Sequence, residues 1–343
     1  QHHGIGVSLR MSLSGVPQSV LDLSILAEGQ TSHDALATSL ALAQRADALG
    51  YRRFWVAEHH NMPTVACTAP TVLMAHLAAS TQQIRLGSGG VMLPNHAPLV
   101  VAEQFAMLEA LYPGRIDVGI GRAPGTDGAT AAALRRSTDL SAEDFPRDLV
   151  DLMGLLGDVR VEHGLWERFR ATPAPVSMPP VYLLGSSDFS ARFAAHLGLP
   201  FAYAHHFDLS GGDLGTTAQI AALYRSSYRP SVEHPEPQLI ITANVLVADT
   251  VEEADWHAAP GRLTMFWRRT RGFLPLPSPE VAAAHPDLPT ARRLPTNRIV
   301  GDAESVSAQL HDLVRLTSAD EVMVTCVAYD LEPRLRSLEL LAV

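Results

Sequence analysis

Ile84-Arg85-Leu86-Gly87-Ser88-Gly89-Gly90-Val91-Met92-Leu93 and Ile116-Asp117-Val118-Gly119-Ile120 decide the fold, together with what lies between them. Between them, Val101, Phe105, Leu108 and Leu111 keep helical spacing until Tyr112-Pro113-Gly114 stops the helix. Strand, helix and strand in this order form one unit of a parallel sheet, because parallel strands need a crossover between them.

The same alternation runs outward in both directions. Towards the N-terminus, Ser19–Ile25 and Arg53–Ala57 read as strands one and two. Between them Thr31, with Asp34 three residues on, can cap a helix whose Leu36, Leu40, Ala43, Ala46 and Leu49 continue to Gly50. A second helix is expected near Pro70–Ser80. Towards the C-terminus, Val181–Leu184, Phe201–Ala204, Leu239–Val247 and Glu321–Val327 read as strands five to eight. Most are apolar throughout, as strands covered on both faces are, and eight is the number that closes a (β/α)8 TIM barrel. An open doubly wound sheet fits less well, since Gly119, Gly121 and Gly125 miss the dinucleotide-binding glycine spacing by one residue. Insertions after strand four (about 122–180) and strand seven (about 248–320) should crown the carboxyl face, where such barrels carry their chemistry. Within the second, the prolines at 275, 277, 279, 286, 289 and 295 predict a mobile lid over 272–295 without regular structure.

The chain has 343 residues, 47% of them hydrophobic and 18% charged, enough to close a large core. Barrels of this length occur as one domain, so residues 11–343 are read as a single unit. Residues 1–10, with His2-His3 and Gly4-Ile5-Gly6, read as a tag and linker remnant. Acidic residues outnumber basic ones 36 to 26, so a nucleic-acid partner finds no general electrostatic footprint. All 26 basic residues are arginine. Without lysine, Schiff-base chemistry and the P-loop ammonium are excluded. Cys67 and Cys326 sit in apolar contexts without metal-ligand spacing and read as buried free thiols. No apolar run spans a membrane and no signal peptide is evident, so a cytoplasmic location is expected.

The strand ends gather the chemistry. Strand two runs into Ala57-Glu58-His59-His60, strand four into Gly121-Arg122, strand five into Gly185-Ser186-Ser187, and strand six into Ala204-His205-His206. The His pairs argue weakly for a metal, because adjacent residues of a strand face opposite ways and each pair offers one inward ring; no metal is expected. Gly185 to Ser190 leads into a helix, so free amides and the hydroxyls of Ser186, Ser187 and Ser190 make an anion site that Arg122 can reinforce. Gly89-Gly90 inside a bulky strand suggests that a flat ring or an unusual backbone needs the space.

These motifs resemble the bacterial-luciferase-like flavin monooxygenases. The resemblance rests on Gly50-Tyr51, Trp55 to His60, Leu86 to Pro94, Tyr112 to Asp117 and Gly119 to Arg122, and continues through Pro180-Val181-Tyr182 to the last strand. The block from Pro94-Asn95-His96-Ala97-Pro98 to Gly125-Thr126-Asp127 is similar to the subgroup holding an epoxide-forming oxygenase of mensacarcin biosynthesis. The resemblance implies reduced FMN across the barrel mouth, O2 activated as a C4a-hydroperoxide, a separate flavin reductase and a homodimer. It places His59 as acid/base beside His60, and a nonproline cis peptide at Gly89-Gly90 under the flavin. Ala57, Glu58, Arg122, Gly185, Ser186, Ser187 and Ser190 are implied cofactor contacts, and His205 and His206 implied substrate-pocket residues. Many relatives carry a reactive cysteine where this chain has Gly121 and an acid where it has Ser186. The alternatives are a hydride-transferring F420 enzyme on the same fold and a flavin-binding protein without catalysis.

Overall fold

Ten strands run β1 (Gln18–Asp22), β2 (Arg53–Val56), β3 (Arg85–Ser88), β4 (Val91–Met92), β5 (Ile116–Gly121), β6 (Val181–Gly185), β7 (Phe201–Tyr203), β8 (Leu239–Val247), β9 (Ile299–Gly301) and β10 (Glu321–Thr325). They belong to a computed structural model, which describes residue 13 and residues 15–123, 126–135, 144–174, 176–207 and 213–342. The expected tag remnant at 1–10 and Gly125 lie outside the described residues.

Eight strands pair in parallel in the order β10, β1, β2, β3, β5, β6, β7, β8, and β8 pairs back to β10. That last pairing closes the sheet, so the barrel and not the open sheet is correct. Thr31 and Asp34 form a reciprocal capping box on α1 (Ser32–Leu49), and Gly50, with φ of 81°, ends that helix in the left-handed region. α2 (Pro70–Ala79) and α3 (Pro98–Leu111) each begin with proline at a first-turn position, where its missing N–H costs nothing. The ring continues with α4 (Gly128–Arg135), α5 (Phe145–Leu156), α6 (Asp188–Leu197), α7 (Leu214–Ser227), α8 (Val251–Thr270), α9 (Pro279–Ala284), α10 (Leu288–Arg293), α11 (Ala303–Thr317) and α12 (Leu331–Leu341). The main core lies between strands and helices, where Phe54, Leu86, Ile116, Val118, Phe201 and Val322 are fully buried.

The barrel interior has two levels. Leu21, Trp55, Tyr182, Ala202, Ile240 and Met323 fill it with apolar bulk. At the amino end, Arg53 replaces the expected apolar filling. Its Nε and Nη2 donate to Glu321 at 2.7 and 3.1 Å, and its Nη1 donates to Asp117 and to the Tyr182 hydroxyl, each at 2.8 Å. Trp55 and Arg85 also donate to Asp117, so every charge in this plug is paired.

Two expectations need correction. Strand three is not continuous from Ile84 to Leu93: β3 stops at Ser88, Gly89-Gly90 forms the cis peptide that the resemblance implied, and β4 resumes against the upper part of β5. The glycines are required by packing. A Cβ at Gly89 would stand 2.6 Å from Leu21 Cδ1, and one at Gly90 would stand 2.8 Å from the carbonyl oxygen of Gly119. Residues 272–295 are not devoid of regular structure either. Pro279 and Pro289 occupy first-turn positions of α9 and α10, where proline is tolerated. Ala282, Leu288 and Ala291 are buried, the first two against Leu263 and Trp267 of α8. The stretch is also fastened to the loop after β1, because Glu28 N–H donates to the Leu276 carbonyl at 2.8 Å. β9, which pairs with the outer end of β8, was not anticipated.

Candidate functional site

The residues immediately beyond β2 build a buried hydrogen-bond cluster. Glu58 is fully buried, and its Oε1 accepts from Nε2 of His60 at 2.7 Å and of His96 at 2.8 Å. Asn95 donates to the same oxygen, and the Met92 amide donates to Oε2 at 2.9 Å. Burial alone would push this carboxyl up, but the hydrogen bonds from His96, Met92 and His60 hold it below its usual 4.5. A group depressed in the folded state stabilises the fold fully above its unfolded value, and that contribution is lost as pH falls through the folded value. Unfolding free energy is therefore expected to decline as pH drops below 4.5, and Glu58→Gln should flatten that decline in denaturant titrations at several pH values. An unaltered acid limb would remove Glu58 from the cause.

Glu58, His60 and His96 place three potential ligand atoms within 4.8 Å of one another. Their separations are those of hydrogen bonds, and Asn95 and Met92 complete the carboxylate, so the donor set is satisfied without an ion. Glu58, expected as a cofactor contact, and His60, expected as catalytic beside His59, are hydrogen-bonded to each other, and His96 joins them. His96 was legible only as a ring bracketed by Pro94 and Pro98 just past strand three, which is a rim position.

His59 is different. Its backbone N–H donates to the Cys67 carbonyl, while its ring Nδ1 is buried without a hydrogen-bond partner. Burial, then the positive charge of Arg268, lower its pKa, with Glu58 opposing, so the ring is neutral at pH 7. Arg268 belongs to α8 and stacks on Phe273 at 4.8 Å; through its charge the second insertion acts on His59, which sequence spacing did not reveal.

Beyond β7 the two histidines part company. His205 is buried with Nδ1 2.9 Å from the Thr217 hydroxyl on α7, and its carbonyl accepts from Asn297 Nδ2, so it fastens α7 and the segment before β9 to this rim. Both ring nitrogens of His206 are buried without a well-formed hydrogen bond. Burial drives its pKa to about 3 despite the Thr242 backbone, with His205 and His59 adding to the depression. His59 and His206 influence each other electrostatically, and each has a buried ring nitrogen without a well-formed hydrogen bond.

The anion cap forms on the adjoining wall. Ser187 is the N-cap of α6, its Oγ accepting from the Ser190 amide, and Ser190 Oγ lies 3.3 Å from Ser187 Oγ. Gly185 leaves the room Ser190 needs, since a Cβ there would stand 2.2 Å from Ser190 Oγ. Ser186 is exposed beside them. Arg122, at the end of the neighbouring β5, holds its guanidinium 4.4 Å from the Phe189 ring in the first turn of α6. Ala57, buried, connects β2 to this rim. The glycine floor, the orphaned imidazole nitrogens and the guanidinium with serine hydroxyls fit a flat heterocycle bearing a phosphate.

The sequence profile of the luciferase-like monooxygenases matches residues 19–320. An uncharacterized Bacillus subtilis protein, YvbT, is 43% identical over 332 residues, covering 94% of this chain and 95% of its own. The solved structure of apo-MsnO8 superposes with a TM-score of 0.86 at 38% identity, covering 95% of this chain and 97% of that one. Two structures at 16% identity show the shared fold alone. One is the oxygenating constituent of 3,6-diketocamphane monooxygenase from Pseudomonas putida in complex with FMN, with a TM-score of 0.70. The other is an F420-dependent secondary alcohol dehydrogenase, with a TM-score of 0.63. With a closed parallel barrel and a family match over most of its length, the chain belongs to the luciferase-like monooxygenases.

Proposed function

We propose that this protein is an FMNH2-dependent monooxygenase that transfers one oxygen atom of O2 to a small organic substrate, by epoxidation of an acceptor such as an aromatic polyketide. A separate reductase would deliver the reduced flavin, and a homodimer is the expected assembly. The observation that carries the reading is the pairing of a glycine floor at Gly89-Gly90 with the unpartnered buried Nδ1 of His59 on one rim.

Bound reduced FMN would supply the electrons that activate O2. The chain's own residues supply the rest. Arg122 and the Ser187–Ser190 cap would hold the phosphate, Gly89 and Gly90 would admit the ring, and the apolar interior below would exclude water. His59, neutral and free at Nδ1, holds or moves a proton at that atom, while Glu58, His60 and His96 fix the backbone that carries it. No helix of the described residues is long and apolar enough to cross a membrane, in keeping with a protein that meets diffusible flavin.

Arg122→Ala is expected to weaken FMN binding by about tenfold to a hundredfold, the loss of one charge-assisted contact. Quenching of flavin fluorescence measures it, and an unchanged Kd would detach Arg122 from the phosphate. Oxygen consumption tests the reaction class: FMNH2 with a coupled reductase should support substrate-dependent O2 uptake. Turnover with F420H2 and no O2 uptake would assign the protein to hydride transfer instead.

A further inference from the structure

Arg262 and Arg298 are half-buried, and among the described residues neither guanidinium makes an ion pair or a side-chain hydrogen bond. Arg298 stands one residue before β9, and its neighbour Asn297 ties this segment to the His205 carbonyl beyond β7. The guanidinium lies over Gly261 of α8: a Cβ there would be 2.2 Å from Arg298 Nη1 and 3.2 Å from Cγ1 of Val327, just past β10. Arg262 is the next residue on α8. The group is therefore at the carboxyl rim, and β7 and β8 separate it from the serine cap beyond β6.

The carboxylate that offsets Arg262 is shared with another arginine. Asp255, the carboxylate nearest in influence to Arg262, is hydrogen-bonded to Arg292. Burial pushes Arg298 down to about 10, and the charge of Arg262 pushes it further in the same direction. Cys326, the neighbouring thiol, is itself raised by burial and stays neutral. Two neighbouring guanidiniums, partly withdrawn from water and with no carboxylate of their own, disfavour each other, and an anion arriving from outside relieves that repulsion.

We propose that Arg262 and Arg298 form a second anion subsite, which takes a carboxylate of the oxygen-accepting substrate and leaves the flavin phosphate to Arg122 and the serine cap. The proposal rests on reading the mouth as an oxygenase site and names the chemical class of its substrate. The planar forks of two arginines match a carboxylate's two oxygens. A substrate anchored here lies across the rim from the phosphate cap, with His59 and His206 between the two ends.

The test uses 2-naphthoate and its neutral isostere 2-naphthamide, titrated by their fluorescence into the protein without flavin. The wild-type protein should bind naphthoate at least about tenfold more tightly than naphthamide. Arg298→Gln should abolish that preference, leaving the affinities for naphthamide and FMN within about twofold of wild type. Gly261→Ala is the second variant, because alanine suits a helix interior and its Cβ displaces the far end of the Arg298 side chain, with a tight but tolerable contact to Val327 Cγ1 at 3.2 Å. It should give the same loss, and Arg298→Lys should restore part of the preference. Equal wild-type affinity for the two probes would overturn the proposal, as would a preference that survives both Arg298→Gln and Gly261→Ala. A naphthoate preference lost in Arg122→Ala but not in Arg298→Gln would overturn it too, by placing the anion at the cofactor cap. A parallel fall in FMN affinity in Arg298→Gln would assign these arginines to the cofactor. Absence of FMN binding to the wild type would defeat the oxygenase reading while the arginine-dependent preference stood.

Discussion

His59→Ala is expected to lower oxygen transfer by about a hundredfold to ten-thousandfold, the range associated with one positioned acid or base, while FMN affinity changes by less than about threefold. The size of the effect follows from what the ring lacks. Its Nδ1 is buried without a protein partner, so a proton on or off that atom has no internal competitor. Arg268 and burial keep the ring neutral, and a neutral imidazole can both accept and donate. His60→Ala should act more weakly and through position, since the ring of His60 is already committed to Glu58. Product formed per FMNH2 oxidised, with a coupled reductase, measures both. Wild-type coupling in His59→Ala would remove this residue from the chemistry.

Arg53→Ala is expected to destabilise the fold by about 3 to 5 kcal/mol, because it leaves two buried carboxylates without their cation. Burial pulls the pKa of Arg53 down, yet Asp117 and Glu321 hold it well above its ordinary value. Removing it strands Glu321 inside the barrel wall, with Arg52 at 3.4 Å as its remaining ion-pair partner, whereas Asp117 keeps Arg85. The barrel's amino end closes around this plug, far from the proposed chemistry. FMN affinity of whatever fraction stays folded should be unaffected. Urea unfolding monitored by tryptophan fluorescence gives the value, and a loss below about 1 kcal/mol would mean that water replaces the guanidinium without penalty.

The eight barrel strands were legible because each is a short apolar run between turn signals, and periodicity of that kind survives in a single sequence. Closure of the sheet follows from number and alternation. What escaped is what depends on contacts between distant residues. The break after Ser88 is written as Gly89-Gly90, but its need arises from Leu21 and the Gly119 carbonyl, which only the folded barrel brings close. The prolines of 272–295 were misread as breakers, since proline's effect depends on whether it falls at the first turn or the interior of a helix, and Pro279 and Pro289 fall at the first turn. Arg53 looked like an ordinary strand-start arginine, and its two carboxylates lie 64 and 268 residues away.

The candidate site divides in the same way. His59, Arg122, Ser187 and Ser190 were legible as candidates because strand ends and a helix N-cap announce themselves locally. Glu58 and His205 follow strands as the sequence suggested, but their hydrogen bonds run to His96 and to Thr217, partners that no local pattern names. Arg268, Arg262 and Arg298 sit in or after a helix of the second insertion and read locally as surface charge.

The most direct measurement mixes the protein with FMNH2 and then with oxygenated buffer in a stopped-flow spectrophotometer. If the rim holds reduced flavin and governs its reaction with O2, absorbance passes through a protein-dependent transient distinct from both reduced and oxidised FMN, longer-lived in the wild type than in His59→Ala. Direct conversion of FMNH2 to oxidised FMN at the rate seen in buffer alone would contradict it.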